Sequence, residues 1–443
     1  MWFDWSVMIE LSICQTGSAT GSSDSSLLRH VDERFRVRQT HQQVSVSWEF
    51  PPFEQALPTV LPPEQADDRG YLGRALFSTV LVATPRSFFV IPFTCIQRTT
   101  TLSRYPGENA GRNRKLDLKQ ARDVMDSNED SQMVRVAVVQ ASPIPSSLGG
   151  TLARALALVS EAANAGAQII CFGETFLPGY PAWLDYSLGA ALWNHPPVKE
   201  VFAEMRANSV VVPGPETRAL AEAAARLKVG VVIGVSERVR DAPGHGTLYN
   251  SLLFFGEDGR LLNHHRKLIP TYSEQMVWGK GDSAGLRNAK IQDVNVSGAI
   301  CWEHWMPLAR QHLHNSGEQI HVAVWPTVHE MHQVASRHYA FEGRCFVLAA
   351  GQIMQASVLP SALSPVEGLE PRTLIERGGS AIIAPDGRYL AGPVFDEEVI
   401  LYAGLDVREI ERESMTLDVS GHYSRPDIFQ LKVAGCDRKA DGI

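Results

Sequence analysis

Asp293-Val-Asn-Val-Ser-Gly-Ala-Ile300 is a strand-like run that delivers the chain directly to Cys301-Trp302-Glu303-His304. A cysteine at the carboxyl end of a buried strand sits where open α/β sheets place their ligands and reacting groups. Two upstream segments repeat the pattern of a β-type run closed by a charged residue. Ala167-Gln-Ile-Ile-Cys-Phe-Gly173 ends at Glu174, and Arg260-Leu-Leu-Asn-His-His-Arg266 ends at Lys267. Three such strand ends can bring a carboxylate, an ammonium and a thiol to one sheet edge. Each residue alone has a plainer reading: a buried small hydrophobe for the cysteine, a loop carboxylate or a solvated face for the others. Together they point to a cysteine nucleophile. Thiolate is the attacking species and a free thiol titrates at about 8.5, so a base or a nearby cation must activate it.

Working outward, Gly173-Glu174-Thr-Phe-Leu-Pro-Gly-Tyr-Pro181, His265-Arg-Lys267-Leu-Ile-Pro-Thr271 and Cys301-Trp-Glu-His-Trp-Met-Pro307 form one set. With them the chain resembles the nitrilase branch of the carbon–nitrogen hydrolase superfamily. The similarity runs from about Val134 to about Leu431 and ends in Gly421-His-Tyr-Ser-Arg-Pro-Asp427. The resemblance implies an α/β fold, a four-layer α-β-β-α sandwich. It also implies a nitrilase that turns an organic nitrile and water into carboxylic acid and ammonia through a thioimidate and a thioester on Cys301, with no cofactor. Glu174 is the candidate general base, and Lys267 stabilises the developing negative charge. The N–H of Trp302 is a natural second donor to that charge. Glu274, in Pro270-Thr-Tyr-Ser-Glu274, matches a second family glutamate and can also hold Lys267 by an ion pair.

Alternatives within the superfamily are an amide-forming nitrile or cyanide hydratase and an amidase. Outside that chemistry stand a non-catalytic binding scaffold, which needs none of Glu174, Lys267 and Cys301, and a metal hydrolase. His329-Glu330-Met-His332 lacks the His-Glu-x-x-His spacing of a zinc site, so no metal is expected. His304 is expected to shape the pocket or cap a helix, and Glu303 to be structural. Tyr180, Trp183 and Trp325 lie close in sequence to the site segments and are candidates for a partly aromatic pocket. Similarity around Trp302 to His314 and Trp325 to His332 leans towards aromatic or arylacetonitrile substrates. Members of the family form dimers that stack further, which implies a homo-oligomer.

The 443 residues are 44% hydrophobic and 20% charged, enough apolar content for a sizeable core. A net charge of -8 without a basic stripe gives no reason to expect nucleic acid. The six cysteines are scattered without metal-type pairs, which suits free thiols in a reducing compartment. The first ten residues lack a basic stretch, and the apolar run from Ala75 to Cys95 is broken by Pro85-Arg86 and Pro92, too interrupted for a membrane span. A cytoplasmic location follows as the default.

The character of the chain changes near residue 133. Before it no sustained periodicity is found, and Arg98 to Arg122 is polar and reads as linker. Residues 1–132 are therefore expected to be a poorly structured extension, or sequence upstream of a true start at Met133. Residues 133–431 form the hydrolase domain and 432–443 a C-terminal tail. Within the domain, strands are predicted at Val134–Gln140 and Val229–Val235, and helices over Thr151–Ala165 and from Pro215. Hairpins are expected on Glu257-Asp-Gly259 and Pro385-Asp-Gly387.

Overall fold

The computed structural model describes residues 133–435, apart from 145 and 241–243, together with the backbone of 79–84 and 87–92. The two early segments, β1 (Thr79–Thr84) and β2 (Ser87–Pro92), pair antiparallel across a two-residue connection. That hairpin was not anticipated from the sequence pattern. The remainder of 1–132, including the linker reading of Arg98 to Arg122, lies outside the described residues, as do 436–443.

The main body starts with β3 (Met133–Gln140), followed by α1 (Leu148–Asn164) and β4 (Ile169–Phe172). Ser147 caps α1 by accepting from the Gly150 N–H, and Gly166, at φ 94°, turns the chain out of it. Three helices come next: α2 (Trp183–Tyr186), α3 (Pro196–Ala207) and α4 (Pro215–Leu227). The strands β5 (Gly230–Arg238), β6 (Leu248–Phe255) and β7 (Leu261–Arg266) complete the first half. The second half runs β8 (Ala289–Ile291), β9 (Val294–Ile300), α5 (Pro307–Asn315), β10 (Ile320–Val324), α6 (Glu330–Gly343) and β11 (Phe346–Ala350). It closes with β12 (Ile353–Gln355), β13 (Leu374–Ile383), β14 (Tyr389–Phe395), β15 (Val399–Asp406) and α7 (Arg408–Ser414).

These strands form two mixed sheets. One is ordered β15-β3-β4-β5-β6-β7; the other is β12-β13-β11-β10-β9-β8, with β14 on β13. Alternation along β3 shows how they stack: Val134, Val136 and Val138 face the core shared with the second sheet, while Ala137 and Val139 face α1 and α4. The second sheet's outer face is covered by α6 through Ala335, Tyr339 and Ala340. The result is the four-layer α-β-β-α sandwich. The parallel pairs β3–β4 and β4–β5, and β9–β10 and β10–β11, direct the carboxyl ends of β4 and β9 to the site. Two antiparallel steps, β5 to β6 to β7, restore that direction to β7. Among the described residues no helix is long and apolar enough to cross a membrane.

Candidate active site

Glu174 follows β4, Lys267 follows β7, and Cys301 follows β9, each buried at the end of its strand. The Lys267 ammonium donates to Glu174 Oε1 at 2.8 Å and to Glu274 Oε2 at 2.7 Å. One buried cation thus serves two carboxylates. Asn250, on β6, also donates to Glu174 Oε1, at 2.6 Å. Glu274 is held further by the Thr271 N–H at 2.8 Å and the Tyr180 hydroxyl at 2.9 Å. Glu174 Oε2 is buried and has no hydrogen-bond partner among the described residues. The backbone that carries Glu174 passes over Gly234 so closely that a Cβ there would lie 2.4 Å from the Thr175 nitrogen.

The charges follow from this packing. Burial works against the ammonium of Lys267, but Cys301, Glu174 and Glu274 more than offset it and hold the lysine charged. Burial pushes Glu174 up to about 7, opposed by Lys267 and reinforced by Glu274. The Cys301 thiol is raised well above its ordinary range by burial, with Lys267 and the Trp302 N–H pulling the other way. Burial thus favours the proton on Cys301 and leaves Glu174 with an affinity for a proton close to neutral pH.

Cys301 has φ 53°, in the left-handed region, which costs a β-carbon residue roughly 1–2 kcal/mol. The turn Cys301–Trp305 is pinned to keep it there. Glu303 accepts from the Ile300 N–H at 2.6 Å, from the Leu268 N–H at 2.7 Å and from His265 at 2.9 Å. It thereby ties the residue before Cys301 to the residue after Lys267, a structural role as the sequence implies. His304 donates from Nδ1 to the Cys301 carbonyl at 2.6 Å and is pushed down to about 3, first by burial. It sits behind the nucleophile, stacked on Trp325, and does not line the pocket. The other part of its expectation, a helix cap, is replaced by this turn bond.

Cys301 opens into a cavity of about 260 Å³. Tyr180 and Trp302 line it; Trp183 lines a neighbouring depression, and Trp325 is fully buried between His304 and His332. The cavity instead takes Asp185, Tyr186, Thr327 and Glu376. Asn250 and Glu376 carry no motif in the sequence. Their only signal is a polar residue at an inward position of a strand, which a central strand also shows for purely structural pairs. His332 donates to the Thr327 carbonyl at 2.8 Å, and His329 lies 5.4 Å from it, ring to ring.

Residues 135–412 match the carbon–nitrogen hydrolase family. The chain is 38% identical to an aliphatic nitrilase of Sinorhizobium fredii (strain HH103), over 68% of this chain and 95% of that protein. It is 40% identical to a bifunctional nitrilase/nitrile hydratase of Lupinus angustifolius, over 70% of this chain and 88% of that protein. The fold is similar to that of a carbon–nitrogen hydrolase from Helicobacter pylori G27, with a TM-score of 0.53, 17% identity, and coverage of 67% of this chain and 97% of that one. Two sheets back to back, the strand ends that carry Glu174, Lys267 and Cys301, and these relatives agree: the chain belongs to the nitrilase branch of the carbon–nitrogen hydrolase superfamily and is a hydrolase of carbon–nitrogen bonds other than peptide bonds.

Proposed function

We propose that the protein hydrolyses an organic nitrile to the carboxylic acid and ammonia, with Cys301 as nucleophile. The observation that carries this reading is the division of labour on Glu174: Oε1 is occupied by Lys267 and Asn250, while Oε2 is buried and unpartnered. As Sγ adds to the nitrile carbon, the thiol proton passes to Glu174 and on to the nitrile nitrogen, giving a thioimidate. Glu174 then deprotonates a water that adds to the same carbon, and the tetrahedral species expels ammonia to leave a thioester. A second water releases the acid and restores the thiol. Lys267 and the Trp302 N–H stabilise the developing charge, and Glu274 holds Lys267 in place. Tyr180, Tyr186, Tyr272 and Trp302 offer faces to an aromatic substituent, which supports aromatic or arylacetonitrile substrates.

A second reading has its own support, since the relative from Lupinus angustifolius is named both nitrilase and nitrile hydratase. If the tetrahedral species expels thiolate, the product is amide. Incubation with aryl, arylacetyl and aliphatic nitriles and with cyanide, measuring ammonia, acid and amide over time, tests both. Acid with equal ammonia supports the first reading; amide that accumulates and persists supports the second; no product from any nitrile rejects both.

Three further assignments belong to the same reading. Residues 133–431 carry the activity and 1–132 are dispensable. The chain forms homo-oligomers, a proposal supported by exposed apolar side chains such as Trp193, Leu192 and Phe429. Cys171, Cys301 and Cys345 are free thiols, which suits a reducing, cytoplasmic setting.

A further inference from the structure

Six glutamates are buried among the described residues: Glu174, Glu237, Glu274, Glu303, Glu318 and Glu376. In four of them both carboxylate oxygens are engaged. Glu237 takes Arg266, His264 and Ser251; Glu274 takes Lys267, Thr271 and Tyr180. Glu303 takes His265 and two backbone N–H groups, and Glu318 takes His314, His321, Ser297 and Tyr339. The two with an oxygen left open are Glu174 and Glu376. Structural carboxylates in this fold are saturated, so the open oxygen of Glu376 sets it apart.

Glu376 stands on β13, is 6% exposed, and lines the same cavity as Cys301. Its Oε2 accepts from the Thr327 hydroxyl at 2.6 Å. The Arg377 N–H donates to that hydroxyl at 2.8 Å, which fixes the threonine as donor towards the carboxyl. Among the described residues Oε1 makes no hydrogen bond, and it is left to the cavity. Asp185 stands at the mouth, with one oxygen accepting from Ser273 at 2.7 Å. Tyr186 lines the space as well, and its hydroxyl is raised by burial and then by Glu376 and Asp185, so both carboxyls act on one region.

Among the described residues no lysine or arginine lines the cavity. The single charge of Lys267 is divided between Glu174 and Glu274, and His329 and His332 are both pushed down, first by burial, and stay neutral. At the end away from the thiol the lining therefore offers no cation, only Asp185 and a Glu376 carboxyl that ionises against an arriving cation. We propose that Glu376, with Asp185 at the mouth, selects nitriles that carry an ammonium group and rejects those that carry a carboxylate. Burial pushes Glu376 up to about 8, with Glu174 and Asp185 adding to it, so an arriving ammonium displaces a proton from a carboxyl otherwise held neutral. The inference rests on the nitrilase reading for the identity of the substrate and not for the site itself.

The test uses the full chain and three nitriles of one length: pentanenitrile, the aminonitrile with an ammonium in place of the terminal methyl, and the corresponding cyanocarboxylate. The expected order of kcat/KM is ammonium, methyl, carboxylate. Glu376→Gln lowers the ammonium-to-methyl ratio by about tenfold, and Asp185→Asn by less, since a rim charge is screened. Glu376→Asp, which keeps the charge, serves if the glutamine variant melts too low to assay. A ratio that does not move in Glu376→Gln, or a wild type that prefers the carboxylate, overturns the proposal. If no nitrile is turned over, the nitrilase reading fails, and calorimetry with butylammonium on Cys301→Ala decides the inference alone. Binding that is lost when Glu376→Gln is added supports it, and binding that is absent or indifferent to Glu376 rejects it.

Discussion

Two buried ionic clusters flank the turn that holds Cys301, and they differ in one respect. In front are Glu174, Lys267, Glu274 and Asn250, with Glu174 Oε2 and Asn250 Oδ1 left without partners. Behind is a chain from His304 through His321 and Glu318 to His314 and Glu342. There no buried side-chain polar atom lacks a partner: Glu318 alone takes His314 and Tyr339 at 2.7 Å on one oxygen and His321 at 3.0 Å on the other, where Ser297 also donates. A buried polar atom left unpaired costs roughly 1–3 kcal/mol, and the proposed proton transfer gives the open oxygen of Glu174 a use. On the proposed mechanism the front cluster reacts, and the rear cluster stiffens the strained turn.

The comparison is sharpened most by removing the thiol. Cys301→Ala should lower turnover by roughly 10⁴-fold or more, with the melting temperature little changed, because thiol and methyl differ little in bulk. An electrophilic nitrile analogue that labels Cys171 or Cys345 and spares Cys301 contradicts it. Glu174→Gln and Lys267→Met should each lower kcat by roughly 10²–10⁴-fold. The lysine variant should also lose about 3–5 kcal/mol in denaturant unfolding, since it strands two buried carboxylates. Near-normal rates in either reject the front cluster as the catalytic one.

The rear cluster should behave in the opposite way. Glu318→Gln is expected to lose about 3–5 kcal/mol of stability, while turnover per folded molecule stays within about tenfold of wild type. Turnover lost as fully as in Cys301→Ala would erase the distinction. pH separates the clusters more gently. Glu174 is held up at about 7 by burial, against Lys267, and must be ionised to act, so kcat/KM should fall as pH drops through about 7. His314 is raised to about 9 because Glu318 and Glu342 more than offset its burial. A raised histidine contributes stability that is complete below its unfolded value of about 6.5, and that contribution should fade as pH rises through about 9. Urea midpoints across that window should decline in wild type and stay flat in His314→Gln. The smallest effect is expected from a chain beginning at Met133: unchanged kcat, melting temperature and particle size. An inactive or insoluble product shows that the preceding residues belong to the working enzyme.

Strand periodicity and the three charged or reactive residues that close β4, β7 and β9 were legible in the sequence, because each is a local pattern of a few residues. So were α1, α4 and both Asp-Gly hairpins, which depend on caps and turn chemistry within single segments. The hairpin of β1 and β2 escaped that reading, since Pro85-Arg86 and Pro92 break the apolar run in the sequence. The strand β15 also escaped it, because only its pairing with β3 across the whole domain fixes it. Tyr180 was foreseen as part of the pocket, whereas Trp183 and Trp325 lie away from it. An aromatic side chain near a motif in sequence can point to either face, and the packing of layers decides which.

What the sequence determined by itself was the family, the two-sheet architecture that it implies, and which thiol, acid and cation close the strands β9, β4 and β7. Tertiary structure alone decided how charge is distributed among them. One lysine between Glu174 and Glu274, an asparagine from β6 occupying one oxygen of Glu174, and Glu303 joining Ile300 to Leu268 are contacts between distant segments. The same holds for the open oxygen of Glu376, a residue without any local signature. A residue's type is written in the chain, but whether its last hydrogen-bonding position is filled depends on neighbours that only the folded packing supplies.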